Sequence, residues 1–325
     1  MSDIKEIIKS NRPKLSDGSL RTYSSIIKNL MKAIEVKEFD KATIKQNIDK
    51  ILTYVKPFAP KKRKTILSAI IVSLDDGKEG NAEIVEKLKT MMLKDIKESD
   101  EQDEKQERTE KQTENWMSMD DIMKVYNSLK EEVKPLWKLE KPKKGAFMRL
   151  QDFVMLSCLL LIPPRRSLDW VDFRIRDVDK DKDNYMLGNK LIFNSYKTKK
   201  YYGRQEVNID KNPLKKILTE WMKINTTPFL LVDTTMKQPL NQSKLTIRLY
   251  GLFDGKKVSV NMLRHIFITE KVLPSIPKLN EMKETAREMG HSLDQQLKYK
   301  IDEKNVDDTN KDVVSSKTKK GKKAV

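Results

Sequence analysis

One cysteine and two histidines are all that the 325 residues offer to disulfide chemistry or soft metal ligation. Cys158 stands alone inside an apolar run, so no internal disulfide can form and the thiol is expected to be a small core group. His265 and His291 have no cysteine or histidine cluster around them, which speaks against a structural zinc site. Long hydrophobic runs are missing too: the longest, Phe153 to Ile162, is too short to cross a bilayer and reads as a buried helix. The chain opens on charged residues instead of an apolar leader and carries neither a lipidation signal nor an aromatic-faced amphipathic helix, so no membrane association is expected. No internal repeat is found. These absences lead to the expectation of an intracellular protein that uses no metal and no cofactor.

What is abundant is positive charge. Lys and Arg number 66 against 48 Asp and Glu, a formal net charge of +18. Such an excess favours a polyanionic partner, and double-stranded DNA is the expected one. The hydrophobic content of 38% is low for a globular chain yet sufficient for two modest cores.

Helical spacing dominates the first third. Leu20, Tyr23, Ile27, Leu30 and Ile34 recur after Ser19, an expected N-cap. Ile44, Ile48, Ile51 and Val55 mark a second helix that stops at Pro57, and Ile66, Ile70 and Leu74 a third that begins after Pro60. Its first turn carries Lys61, Lys62, Arg63 and Lys64, where the helix macrodipole disfavours cations, so either phosphate contact or a solvated helix start is expected. Residues 98–114 hold almost no apolar group and read as a charged linker, extended or helical. A second unit starts with Ser118, Asp120 and Asp121 as a helix opening. Within it the apolar helix is broken by Pro163 and Pro164. Strands are predicted at Tyr185 to Leu187, Lys190 to Asn194 and Gln205 to Ile209, the first two joined by a turn at Gly188 and Asn189. The fold class expected is mainly α with a small antiparallel β-hairpin or sheet: a helical domain over 1–97, the linker 98–114, a second domain over 115–301, and a disordered basic tail over 302–325.

Four fragments of the second domain place residues suited to phosphoryl transfer without metal in one order. Arg165-Arg166-Ser167-Leu168-Asp169 follows the double proline, and a guanidinium can put two parallel donors on a phosphate. Lys197, with Lys199 and Lys200 as competitors, sits between two predicted strands and can act as a general acid or simply touch a DNA backbone. Asn261-Met262-Leu263-Arg264-His265 supplies a second arginine, with His265 expected to pack or hydrogen-bond within the domain. Met289-Gly290-His291-Ser292 is followed by Tyr299. Singly, each fragment has an ordinary explanation: an Arg near an Asp is commonly a surface ion pair, and a Tyr in a charged helix is usually packing. Together they resemble the boxes of the tyrosine recombinase (phage integrase) superfamily, and with the helical first domain the resemblance covers roughly residues 16–300.

The resemblance implies a helical core-binding domain that clasps DNA and a tyrosine-recombinase catalytic domain. Arg166 and Arg264 would clamp the scissile phosphate, with Asp169 the acidic companion of Arg166. Lys197 would be the hairpin lysine, His291 a hydrogen-bond donor to the phosphate, and Tyr299 the nucleophile that forms a 3′-phosphotyrosyl intermediate. Asn261 stands where the family usually has histidine; its amide can donate a hydrogen bond but cannot shuttle a proton near neutral pH. Family members act as homo-tetramers on paired sites, with DNA in the nucleus or cytoplasm. Two other readings stay open: DNA relaxation like that of a type IB topoisomerase, and a catalytically silent DNA-binding protein on the same scaffold.

Overall fold

The computed structural model describes residues 4–36, 41–77, 79–273, 277–290 and 292–298. It is mostly helical with a small three-stranded antiparallel sheet, as the sequence predicts. Among the described residues no helix is long and apolar enough to cross a membrane. The chain forms two compact units: the described residues up to Glu107 together with 277–298 make one, and 108–276 the other. Of the expected 115–301 domain, the described residues 277–290 and 292–298 cluster with the first unit. The predicted tail, 302–325, lies outside the described residues.

In the first unit the helices are α1 (Ile4–Asn11), α2 (Asp17–Ala33), α3 (Lys41–Gln46), α4 (Ile48–Val55), α5 (Pro60–Leu74) and α6 (Ala82–Glu104). The cap of α2 is Ser16, not Ser19: the Ser16 hydroxyl accepts from Ser19 N at 3.2 Å. The predicted second helix is broken in two at Asn47. α5 opens on Pro60, whose missing N–H costs nothing in the first turn. It packs on α1, α2 and α6, burying Leu67, Ala69, Ile70 and Leu74. The first part of the expected linker continues α6 as helix through Glu104, and acids along α6 have partners on α5. Asp95, 3% exposed, takes a bidentate pair from Arg63 Nε and Nη2, and Asp103 takes Lys61.

The second unit begins with α7 (Glu110–Asn115), opened by a capping box between Thr109 and Gln112, and α8 (Met119–Val133), capped by Ser118 accepting from Asp121 N at 3.1 Å. α9 (Lys144–Leu160) is the core helix; Phe153, Val154, Leu156 and Cys158 are buried along it, so the single thiol is an interior group. After the prolines come α10 (Leu168–Val171), β1 (Tyr185–Leu187), β2 (Lys190–Phe193), α11 (Lys199–Tyr202) and β3 (Gln205–Asn208). β2 is central, pairing Tyr185 with Ile192 on one side and Phe193 with Gln205 on the other, and Gly188 makes the β1–β2 turn at φ 57°. Then follow α12 (Pro213–Ile224), α13 (Gln242–Leu252) and α14 (Val260–Phe267). α15 (Leu279–Glu288) and α16 (Leu293–Lys298) belong to the first unit, where Lys283 pairs with Glu104 at 2.5 Å and Leu279 N donates to Gln106 at 2.7 Å.

The α5 cations are therefore not equivalent. Arg63 spends Nε and Nη2 on Asp95 and Nη1 on the carbonyls of Lys56 and Phe58, and Lys62 lies over the Phe58 ring at 3.4 Å. Removing the Arg63 guanidinium leaves a buried carboxylate unpaired, so Arg63→Ala is expected to cost about 3 kcal/mol in denaturant unfolding. Lys64→Ala is expected to stay within about 0.5 kcal/mol of the parent. Equal small effects would mean that the Arg63–Asp95 pair does not hold α5 to α6.

Candidate active site

Three arginines and one carboxylate converge in the second unit. The double proline ends the core helix, and the chain enters α10 through Arg165 and Arg166. Asp169, on α10, is 3% exposed and accepts from Arg165 Nε at 2.8 Å. Arg165 also donates to Gln205 Oε1 at 3.0 Å, and its guanidinium lies 3.8 Å from the Phe193 ring centroid and 5.4 Å from that of Tyr196. Phe193 belongs to an aromatic triangle with Trp170 and Phe173, centroids 5.5 to 5.9 Å apart. This mount fixes Arg165 as firmly as a core residue, with 16% of its side chain exposed.

The expected companionship is therefore rearranged: Asp169 hydrogen-bonds Arg165, not Arg166. Sequence could not separate the two, since both i+3 and i+4 spacings reach across one helical turn. What betrays Arg165 is the pair Phe193 and Tyr196 on the facing strand and its continuation, visible only once the sheet is formed. Arg166 is half-buried, and its side chain has no hydrogen bond or ion pair among the described residues. Arg264, on α14, donates one bond, Nη1 to the Pro164 carbonyl at 3.0 Å, which ties it to the turn carrying Arg166.

Electrostatics show how close these charges are. Burial holds the Arg264 guanidinium below its ordinary value, Arg166 and Arg165 push it further down by like-charge repulsion, and Asp169 pulls the other way. Asp169 is held above the ordinary carboxylate range by burial, against the attraction of Arg165, Arg166 and Arg264. Three guanidiniums around one carboxylate leave a net positive, partly desolvated cluster. Two of them keep free donors, and forked donors in such a place suit a tetrahedral oxyanion.

The remaining predicted residues fall as follows. Lys197 is exposed and follows directly on Tyr196, so the β2–β3 connection brings it to the rim of the arginine cluster; Lys199 and Lys200 sit on α11, also exposed. Asn261 is exposed in the first turn of α14, one turn before Arg264 on the same helix face. His265 is exposed and does not pack in the core, contrary to expectation. His291 and Tyr299 lie outside the described residues. Just before His291 stands Gly290, at φ 74° after α15, and between His291 and Tyr299 lies α16, both in the first unit.

A pH dependence follows from Asp169. Its folded value is raised, so the folded protein binds this proton more tightly than the unfolded chain does. The stability it contributes is full below about pH 4, the unfolded value, and is lost as pH rises through the folded one. Denaturant unfolding from pH 4 upward should show this fall in the parent, and Asp169→Asn should lack it. A variant with an unchanged slope would assign the slope to other groups.

Comparison of the chain with family models, with curated proteins and with solved structures returns no match.

Proposed function

We propose that the protein is a tyrosine-type DNA strand transferase, a site-specific recombinase or integrase that breaks and rejoins duplex DNA without metal or ATP. The observation that carries this reading is the meeting of Arg166 and Arg264, from segments 98 residues apart, in a half-buried cluster where neither is neutralised by its own carboxylate. Folding alone gains nothing from such a pair. A phosphodiester offers two non-bridging oxygens to the free guanidinium donors, and the net charge of +18 supplies the wider field that draws DNA in.

In this mechanism Tyr299 attacks phosphorus, forming the 3′-phosphotyrosyl bond as the bond to the 5′ oxygen breaks. A phenol ionises near pH 10, so its proton must be accepted or the phenolate stabilised during attack, a task for the arginines and His291. Lys197 protonates the departing 5′ oxygen. Charge building on the non-bridging oxygens falls to Arg166 and Arg264, with Arg165 and Asp169 holding the turn that aims them. Reversal by a second 5′ hydroxyl rejoins the strand, since the phosphodiester energy is kept in the covalent bond. Residues 1–97 are then the core-binding domain, clasping the duplex with Lys61, Lys62 and Lys64. Arg63 drops out of that role because its donors are taken by Asp95 and two carbonyls. Homo-tetramers on paired sites, inside the cell and with DNA, belong to the same reading. A second reading, a silent DNA-binding protein on this scaffold, draws on Asn261 in place of an acid–base histidine.

A nicked suicide duplex traps the covalent intermediate and tests the reading on a denaturing gel. Tyr299→Phe should abolish the adduct, whereas Tyr201→Phe should still form it. Arg166→Ala and Arg264→Ala should each reduce its rate on the order of a hundredfold while leaving a residue of activity. Asn261→His should leave the rate equal or higher. An adduct that survives in Tyr299→Phe would overturn the nucleophile assignment, and no adduct in any protein, the parent included, would favour the silent reading.

A further inference from the structure

The connection between β2 and β3 is tied to the arginine cluster at both ends. It leaves beside Tyr196, whose ring lies 5.4 Å from the Arg165 guanidinium, and returns at Gln205, which accepts from Arg165 at 3.0 Å. Across its base the Tyr196 hydroxyl donates to the Gly203 carbonyl at 2.6 Å. Gly203 closes the turn at φ 64°, ψ −155°, a conformation that side chains other than hydrogen resist. The loop is thus a clamped structure and not a slack one. At its tip Tyr201 and Tyr202 are 79% and 69% exposed. Lys197, Lys199 and Lys200 around them are exposed and have no ion pair among the described residues, while Arg204 is engaged by Glu206 at 3.0 Å.

Two adjacent rings held out in water forgo the burial that tyrosine ordinarily gains, and they do so among free cations beside an oxyanion pocket. Nucleobases match this combination. Every base has a face that stacks on an aromatic ring, and the phosphates that flank it meet the lysines. We propose that Tyr201 and Tyr202 form a stacking platform for a nucleobase unpaired or unstacked next to the phosphate bound by Arg166 and Arg264. This rests on the strand-transfer reading and adds to it a preference for locally melted DNA. The energetic reason is that unstacking a base is costly in intact duplex and already done in a bubble.

Two labelled DNAs of one sequence, one fully paired and one with a short central mismatch bubble, distinguish the outcomes by fluorescence anisotropy at fixed salt. The parent protein is expected to bind the bubble on the order of tenfold more tightly. The double variant Tyr201→Ala, Tyr202→Ala should bind the two DNAs alike, and Tyr201→Phe, Tyr202→Phe should keep the preference, because the ring stacks and the hydroxyl does not. Thermal melting of each variant checks that the exposed substitutions leave the fold intact. A parent that binds duplex with no bubble preference overturns the platform alone. A preference that persists in the double alanine variant, or is lost in the phenylalanine variant, overturns it too. A parent that binds neither DNA overturns the strand-transfer reading and the platform together.

Discussion

Arg165 and Asp169 form the contact around which the candidate site is assembled. The carboxylate is almost fully buried, and it is tolerated there because a guanidinium sits against it in hydrogen-bonding geometry. That guanidinium in turn lies over the ring of Phe193 of the central strand and reaches Gln205 of the next. One side chain therefore fastens the turn after the double proline to the sheet. The aromatic triangle of Trp170, Phe173 and Phe193 beneath it is the stiff base on which the turn rests. Removing either partner would strand a buried charge and release the turn, so the pair sets where its neighbour Arg166 stands.

Asp169 gives one oxygen to Arg165 and its buried Oδ1 meets no donor among the described residues, so a single carboxylate serves Arg165, Arg166 and Arg264. Burial raises the cost of keeping Arg264 charged, and the like charge of Arg166 adds to that cost. Arrangements of this kind reduce stability and persist where a ligand completes them. The contrast with Arg63 is instructive, since there all donors meet acceptors and the ion pair joins two helices. Similar residues thus serve opposite ends: one guanidinium is satisfied and structural, two are unsatisfied and available.

The sequence was most legible where local rules suffice. The three strands fall within a residue of their predicted ends, because alternation and the Gly188 turn are local signals. The caps at Ser118 and the proline opening of α5 are likewise local. The helical run through 98–104 was only partly legible, since its stability comes from acids paired across to α5 and neighbouring segments instead of from apolar spacing. The meeting of Arg166 and Arg264 was inferred from order along the chain, and the Pro164 carbonyl that joins them gives no sign in sequence. Which arginine Asp169 would take was not legible, because the choice depends on a ring one strand away. The share of 277–298 in the first unit had no local signal, for it rests on long-range pairs such as Lys283 with Glu104.

The central proposal is that Arg166 stands close to Arg264, against the repulsion that Arg264 bears, so that an oxyanion can bind them both. Its most direct measure is the melting temperature of the parent and of Arg166→Gln, each with and without saturating inorganic phosphate. The account predicts that without phosphate the variant melts at or above the parent, because a repulsion is relieved and no hydrogen bond is lost. It further predicts that phosphate raises the parent's melting temperature and leaves the variant's unchanged. A variant that melts well below the parent in the absence of phosphate, with both proteins responding alike to the anion, would contradict it.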